Sequence, residues 1–217
     1  MPLTSDETRG SGTAVAVDLV NTWDELHPEP DLIEGIDDVR TWLAWHGLTA
    51  AAGQVRDADV GRVRELRERL DRVFDARDEE TAADLLNELA RDYGIAPQLE
   101  RHGKGWRLRS WPDDDVGLPA VAAYAVAGLL ATFQELGWRR FGRCAGSPCR
   151  CAFIDRSRNR TRRYCCTLCA DRVAQAHYRA RKRTSPAPAR EAGLRGGTRK
   201  GPRRSQGTGS GPAGRST

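Results

Sequence analysis

All six cysteines of this 217-residue chain lie between residues 144 and 169. Cys144 and Cys149 form one group, and Cys165 and Cys169 form a second group after a 15-residue interval. Two short cysteine loops at such a separation can supply four thiolates to one tetrahedral metal ion. The pattern predicts a small module that folds around a metal, because so short a segment cannot be stabilised by apolar burial alone.

The preferred metal ligands are Cys144, Cys149, Cys165 and Cys169. Cys151 and Cys166 are alternatives, and Cys166 in place of Cys165 would restore a C-x2-C loop. Four thiolates leave no open coordination position, so we expect a structural Zn²⁺. A disulfide cluster is the competing interpretation. The N-terminus lacks the basic start and apolar run of a secretory signal, which predicts a cytoplasmic protein with reduced thiols.

The charge is divided between two halves of opposite sign. Residues 1–138 contain 14 Lys and Arg against 27 Asp and Glu, whereas residues 139–217 contain 21 against 3. A basic surface of this kind favours contact with a polyanion, and arginine suits bidentate contact with phosphate or a guanine edge. The predicted nucleic-acid contacts are Arg158, Arg160, Arg162, Arg163, Arg172, Arg179, Arg181, Lys182 and Arg183.

Two alternatives to nucleic-acid contact remain open for these arginines. An arginine-rich composition can reflect a GC-rich coding sequence, and Arg162 or Arg172 can brace the module from within. His177 falls two turns into the last predicted helix, where we expect a surface residue or a phosphate contact rather than a metal ligand.

The first 138 residues predict an α+β domain that is mostly helical with a small sheet. Residues 14–20 are β-branched and partly alternating, which indicates a strand. Apolar spacing predicts helices over residues 37–46, 57–74 and 81–93, with Gly47 ending the first. Residues 97–111 predict a hairpin with Trp106, Leu108 and Ser110 on one face. The apolar helix after Pro119 should pack against this hairpin as a core helix rather than a membrane span.

The cysteine segment predicts a treble-clef-like module. Residues 152–155 read as a strand with Phe153 beneath the metal, residues 157–160 as a turn, residues 161–164 as the return, and residues 168–183 as a helix. Residues 184–217 are rich in Ser, Pro, Gly and Arg and predict a disordered basic tail. The predicted units are therefore residues 12–138, 139–183 and 184–217.

These residues resemble the CGNR zinc-finger family, whose finger follows a domain named ABATE. The resemblance runs over residues 12–183. It is carried by Cys144 to Cys149, Phe153-Ile-Asp-Arg-Ser-Arg-Asn159, Arg162-Arg-Tyr-Cys165, Cys169-Ala-Asp-Arg172 in place of Cys-Gly-Asn-Arg, and the N-terminal Asp18-Leu-Val-Asn-Thr22. The resemblance implies a bacterial transcription regulator that responds to stress.

The expected function is that of a DNA-binding regulator, and two alternatives remain. The same module could bind RNA with Tyr164 or Tyr178 stacking on a base, or it could be a structural clip in a protein-interaction adaptor. The acidic domain would sense a ligand or form a homodimer. Asn21 is the candidate ligand-binding residue, and a helix or turn cap is the alternative interpretation. No nucleophile, phosphate loop or open metal site points to an enzyme.

Overall fold

The computed structural model describes residues 10–103, 105–109 and 117–184. The elements are α1 (Gly12–Val20), α2 (Ile36–Trp45), α3 (Thr49–Ala52), α4 (Asp59–Phe74), α5 (Glu79–Asp92), β1 (Gln98–His102), β2 (Gly105–Arg109), α6 (Leu118–Leu136), β3 (Phe141–Arg143), β4 (Ala152–Ile154) and α7 (Thr167–Thr184). A 3-10 turn at Trp138–Arg140 joins α6 to β3. The predicted fold class is confirmed: a mostly helical N-terminal region with a small sheet precedes a four-cysteine module.

Helices α2, α4 and α5 confirm the predictions from apolar spacing. The apolar stripe of α4 is buried from Val63 through Leu70 to Val73, and most of its charged positions face outward, with the exception of Arg67, which is buried and paired with Asp31. At the start of α5 the carboxylate of Asp78 accepts a hydrogen bond of 2.7 Å from the Thr81 N–H. Gly47 follows α2 with a φ of +75°, the left-handed conformation that ends many helices.

The predicted strand over residues 14–20 is wrong, because this segment is the helix α1. The Ser11 hydroxyl caps it by accepting a hydrogen bond of 3.2 Å from the Ala14 N–H. Nearly every residue of α1 is buried, so the helix has no polar face and its sequence shows no helical period. A Cβ on Gly12 would overlap the Tyr124 carbonyl of α6, and one on Gly128 would overlap α1. The two backbones therefore cross in direct contact.

The predicted hairpin is present as β1 and β2, which pair in antiparallel register from Gln98 opposite Arg109 to His102 opposite Gly105. The face predicted for Trp106, Leu108 and Ser110 lies outside the described side chains. The sequence predicts that helix α6 packs on this hairpin, but its main contacts are with α1, α5 and α4. The prediction is wrong because the buried helix α1, which the sequence predicts as a strand, offers α6 the apolar surface on which it packs.

Helix α6 is the one helix in the described ranges that is long and apolar enough to cross a membrane. Its buried residues, from Leu118 through Ala125 and Leu129 to Thr132, pack inside the protein. A core helix of a soluble protein meets the same criterion, so this feature is weak evidence for a span.

We call residues 139–183 the finger. Its strands β3 and β4 pair in antiparallel register, with Phe141 opposite Ile154. Both residues belong to the main hydrophobic core, where the Phe141 ring lies 5.5 Å from that of Phe74 and 6.0 Å from that of Phe133. The finger therefore shares a core with the helices that precede it.

The hairpin of the finger differs from the predicted one. Strand β4 pairs upstream with β3, and residues 161–164 return as a segment without strand structure. The predicted turn at residues 157–160 is present: the Arg160 N–H donates to the Ser157 carbonyl at 3.3 Å, and Arg160 has a φ of +53°. The tail predicted to be disordered lies outside the described residues from residue 185 onward.

Candidate metal centre and nucleic-acid surface

Four buried cysteine sulfurs form one compact group. The Sγ atoms of Cys144, Cys149, Cys165 and Cys169 all lie within 4.8 Å of one another. Cys165 Sγ is 3.7 Å from Cys149 Sγ and 3.7 Å from Cys169 Sγ. A tetrahedron of sulfurs about 2.3 Å from a central Zn²⁺ has edges of about 3.8 Å. The donor set and its spacing therefore fit zinc.

Backbone hydrogen bonds hold the segments that carry these sulfurs. Cys144 extends the β3–β4 ladder by donating its N–H to the Cys151 carbonyl at 3.0 Å. The Cys149 N–H donates to the Gly146 carbonyl at 3.0 Å and closes the first cysteine loop. The Ala145 N–H donates to the Arg163 carbonyl at 2.8 Å, which ties this loop to the return segment. Cys169 follows in the first turn of α7.

The two alternative ligands lie at the edge of this group. Cys166 is half-buried, and its Sγ lies 3.8 Å from Cys165 Sγ without joining the four sulfurs. Cys151 is buried and packs against the cluster, but it is also outside the group of four. Of the two residues that the sequence leaves open for the third position, the structure brings Cys165 to the other three.

The pKa value of each cysteine thiol in the cluster depends on its neighbours. The pKa of Cys165 is raised by its hydrogen bond with Cys151 and by burial, and burial raises the pKa of both Cys149 and Cys169. Burial acts in the same direction on Cys144, but hydrogen bonds from the Cys165 and Gly146 backbone hold its pKa below the usual value. The hydrogen bond with Cys165 lowers the pKa of Cys151 to about 7.

The raised pKa values of Cys149, Cys165 and Cys169 indicate that these three thiols resist ionisation beside the other cysteines. Four thiolates need a nearby cation, and a divalent metal ion supplies it. The residues present therefore fit a structural zinc ion in their charge as well as in their spacing.

Two of the arginines predicted to bind nucleic acid also form hydrogen bonds within the finger. Arg162 donates from Nε to the Tyr164 carbonyl at 3.0 Å and from Nη2 to the Cys165 carbonyl. Its guanidinium lies 4.9 Å from the centroid of the buried Phe153 ring. Arg172 donates to the Gly146 carbonyl, and its Nη2 is 3.8 Å from Cys169 Sγ. Both side chains therefore brace the finger, Arg162 from an exposed position, and their contact with nucleic acid stays a prediction.

Asp155 organises the loop that follows β4. Its buried carboxylate accepts hydrogen bonds from the Ser157 N–H at 2.8 Å and the Arg162 N–H at 3.1 Å, and Arg140 lies 3.9 Å away. Burial tends to raise the pKa of Asp155, but these hydrogen bonds and the charge of Arg140 hold it below its ordinary value. Asp155 is therefore a structural anion inside a basic loop.

The remaining predicted contacts are exposed. On the loop these are Arg158, Arg160 and Arg163, and on α7 they are Arg179, Arg181, Lys182 and Arg183. Every residue of α7 from 174 to 183 is exposed, including His177, as predicted. Tyr178 is 60% exposed, whereas Tyr164 is half-buried against the cysteine cluster. The second half of α7 thus extends away from the protein.

Asn21 lies at the contact between α1 and the finger. Its amide Nδ2 donates to the Ala152 carbonyl at 3.0 Å, and its Oδ1 accepts from the Ala152 N–H at 2.7 Å. Asn21 is buried, whereas the neighbouring Trp23 and His27 are exposed. A ligand at Asn21 would have to displace the Ala152 peptide. Its ligand-binding role stays a prediction.

Sequence reasoning missed the ion pairs that join the two halves of the chain. Arg143 donates to the Asp71 carboxylate at 2.6 Å and to the Asp75 carboxylate at 2.9 Å, and Arg150 pairs with Asp75 at 3.2 Å. The sequence signal was present, because Asp71 lies in the last turn of the helix predicted over residues 57–74 and Asp75 follows that helix four residues later. Their partners are too distant in sequence to be identified from it.

Two family models match the chain in succession. Residues 13–132 match the ABATE family, described as "Putative stress-induced transcription regulator". Residues 140–182 match the CGNR zinc finger. Comparison with curated proteins gives no match. The first match alone spans more than half of the sequence, and the cysteine cluster lies within the second. This chain belongs to the ABATE family of transcription regulators and carries a CGNR zinc finger with four clustered, buried cysteines suited to zinc.

Proposed function

We propose that this protein is a cytoplasmic, nucleoid-associated transcription regulator that binds DNA through its finger. Cys144, Cys149, Cys165 and Cys169 would hold one structural Zn²⁺. The metal fixes the cysteine loop, the return segment and the first turn of α7 relative to one another. The exposed arginines on the loop and on α7 would then contact the phosphates and base edges.

The exposed second half of α7 carries this proposal. Ten consecutive residues, 174–183, are exposed on every side, which is unusual for a helix that merely stabilises a fold. Ten helical residues extend for about 15 Å. The major groove of B-DNA is about 12 Å wide and admits a helix, whereas that of A-form RNA is too narrow for side chains to read. The projecting helix therefore favours duplex DNA over duplex RNA.

The exposed basic charge of the finger supports the same function. Arg143, Arg150, Arg162 and Arg172 are already bound to protein groups. The exposed loop arginines and the basic end of α7 are not needed for those contacts. A structural clip in an adaptor would gain nothing from these cations on a helix that extends into solvent.

The test is a titration of full-length, zinc-loaded protein into a fluorescent DNA duplex of random sequence, across a series of KCl concentrations. Each phosphate contact changes the slope of log Kd against log[salt] by about 0.9. Neutralising Arg179, Lys182 and Arg183 together to Gln should weaken binding at every salt concentration and reduce the slope by up to about 2.7.

A matched control removes the same charge elsewhere. Replacing the exposed Arg62, Arg77 and Arg91 of the N-terminal region by Gln should leave the slope unchanged. Binding that does not respond to salt would contradict the proposal and favour an adaptor. Structured RNA that displaces the duplex at equal concentration would favour RNA as the partner.

A further inference from the structure

A cavity of about 750 Å³ opens between α1 and the finger. Its lining includes Thr13 and Val17 of α1, Ile154 of β4, the segment from Thr161 to Thr167, and Ala170 of α7. Its volume lies within the range of about 300–1,000 Å³ typical of small-molecule sites. The cavity lies where the family's two matched regions meet.

The lining of this cavity combines apolar and cationic residues. Ala14, Val17, Ala152, Ile154 and Ala170 contribute apolar surface. Arg156, Arg162 and Arg163 contribute guanidinium groups, and no acidic residue belongs to the described lining. Two helices, α1 and α7, begin at the cavity, and the N-terminus of a helix carries a positive partial charge. Neither helix has an acidic residue in its first turn to neutralise that charge.

Two of these arginines are available to a ligand. Arg162 is bound to backbone carbonyls, but Arg156 and Arg163 are exposed and form no side-chain ion pair within the part of the chain described. The cavity beside Arg143 and Arg150 differs, because those arginines are already paired with Asp71 and Asp75. Unpaired positive charge beside apolar residues is thus a property of the cavity at α1.

We infer that this cavity binds a small organic anion with an apolar body, such as a carboxylate attached to an alkyl chain or a ring. The apolar body would occupy the space between Val17 and Ala170, and the anionic group would pair with Arg156 and Arg163. Arg163 also belongs to the proposed DNA surface. Occupation of the cavity therefore lowers the affinity for DNA, a consequence that rests on the proposed function.

The binding test uses 1-anilinonaphthalene-8-sulfonate, a fluorescent anion with an aromatic body, and full-length zinc-loaded protein. Fluorescence should rise to saturation at one dye per chain. Decanoate should displace the dye, and decyltrimethylammonium, which has the same chain and the opposite charge, should not. Equal displacement by both would overturn the inference, because it would show a nonspecific apolar surface.

Variants locate the site. Ala170 is half-buried at the cavity wall, so Ala170→Phe should fill the space and abolish saturable dye binding while zinc content is retained. Arg156→Gln removes an exposed cation from the cavity edge and should weaken dye binding about tenfold. Arg91→Gln, at an exposed position on α5, is the charge-matched control and should bind dye normally. Unchanged affinity in Arg156→Gln would overturn the inference even if Ala170→Phe did not fold.

Duplex titration with and without saturating decanoate tests the coupling. Decanoate should raise the Kd for duplex DNA by at least about fivefold, within the usual range of coupling between two sites. Unchanged DNA binding together with confirmed dye binding would overturn the regulatory role alone. A protein that binds dye but no duplex under any condition would overturn the proposed function and leave the anion site standing.

Discussion

Replacement of Asn21 by alanine tests how firmly the finger is joined to the helices. The side chain of Asn21 forms two hydrogen bonds with the backbone of one β4 residue, the N–H and the carbonyl of Ala152, at 2.7 and 3.0 Å. Asn21 is 7% exposed and Ala152 1% exposed, so water does not reach these groups. Alanine would leave both polar groups of Ala152 without these partners.

The expected loss of stability is estimated from the N–H and the carbonyl of Ala152. Leaving a buried donor or acceptor unsatisfied costs about 1–3 kcal/mol. We expect Asn21→Ala to lower the free energy of unfolding by about 2–5 kcal/mol, a large part of the total of about 5–15 kcal/mol for a typical domain. Ala152 lies next to Cys151, whose carbonyl holds the Cys144 N–H, so the same change should speed the loss of zinc to a chelator.

The measurement is urea unfolding of the zinc-loaded protein followed by circular dichroism, together with the rate of zinc transfer to a colorimetric chelator. Asn87→Ala, an exposed position on α5, should change stability by no more than about 0.5 kcal/mol. An Asn21→Ala variant as stable as this control would refute the reasoning, because it would mean that the Ala152 backbone finds new partners.

Three further changes test other parts of the finger. Cys165→Ala should lose the bound zinc, whereas Cys166→Ala should keep one zinc per chain by metal analysis. Asp155→Asn should lower stability by about 1–3 kcal/mol near neutral pH. Because the folded pKa of Asp155 is depressed, that difference should persist while the pH stays above about 3.9 and disappear below it, as urea unfolding at several pH values would show. Gly142→Ala would bring a Cβ within 2.7 Å of the Phe153 ring, and calorimetry should show a loss of about 1–3 kcal/mol.

The sequence predicted best where a local pattern was sufficient. The amphipathic helices α4 and α5 follow from apolar spacing, and the clustering of Cys144, Cys149, Cys165 and Cys169 follows from the spacing of two short loops. Apolar spacing cannot identify helix α1, because this helix is buried on all sides. Without a polar face its sequence shows no helical period.

The contacts between distant segments could not be predicted in the same way. The Asn21–Ala152 and Arg143–Asp71 pairs join residues 131 and 72 positions apart, and only the folded chain brings them together. The same limit applies to the arginines, because a brace such as Arg172 and a surface cation such as Arg179 look alike in sequence. Their roles depend on which carbonyl oxygens lie nearby.

The shared core of β3, β4 and the preceding helices leaves no hinge between the two family regions. Phe141 and Ile154 are anchored among helical residues, and Arg143 is clamped to α4. If α7 binds a duplex as proposed, the direction in which the N-terminal helices point would therefore be set as well. A molecule bound to those helices would then lie at a fixed distance and angle from the DNA. A flexible linker between the two regions would instead allow many distances and angles.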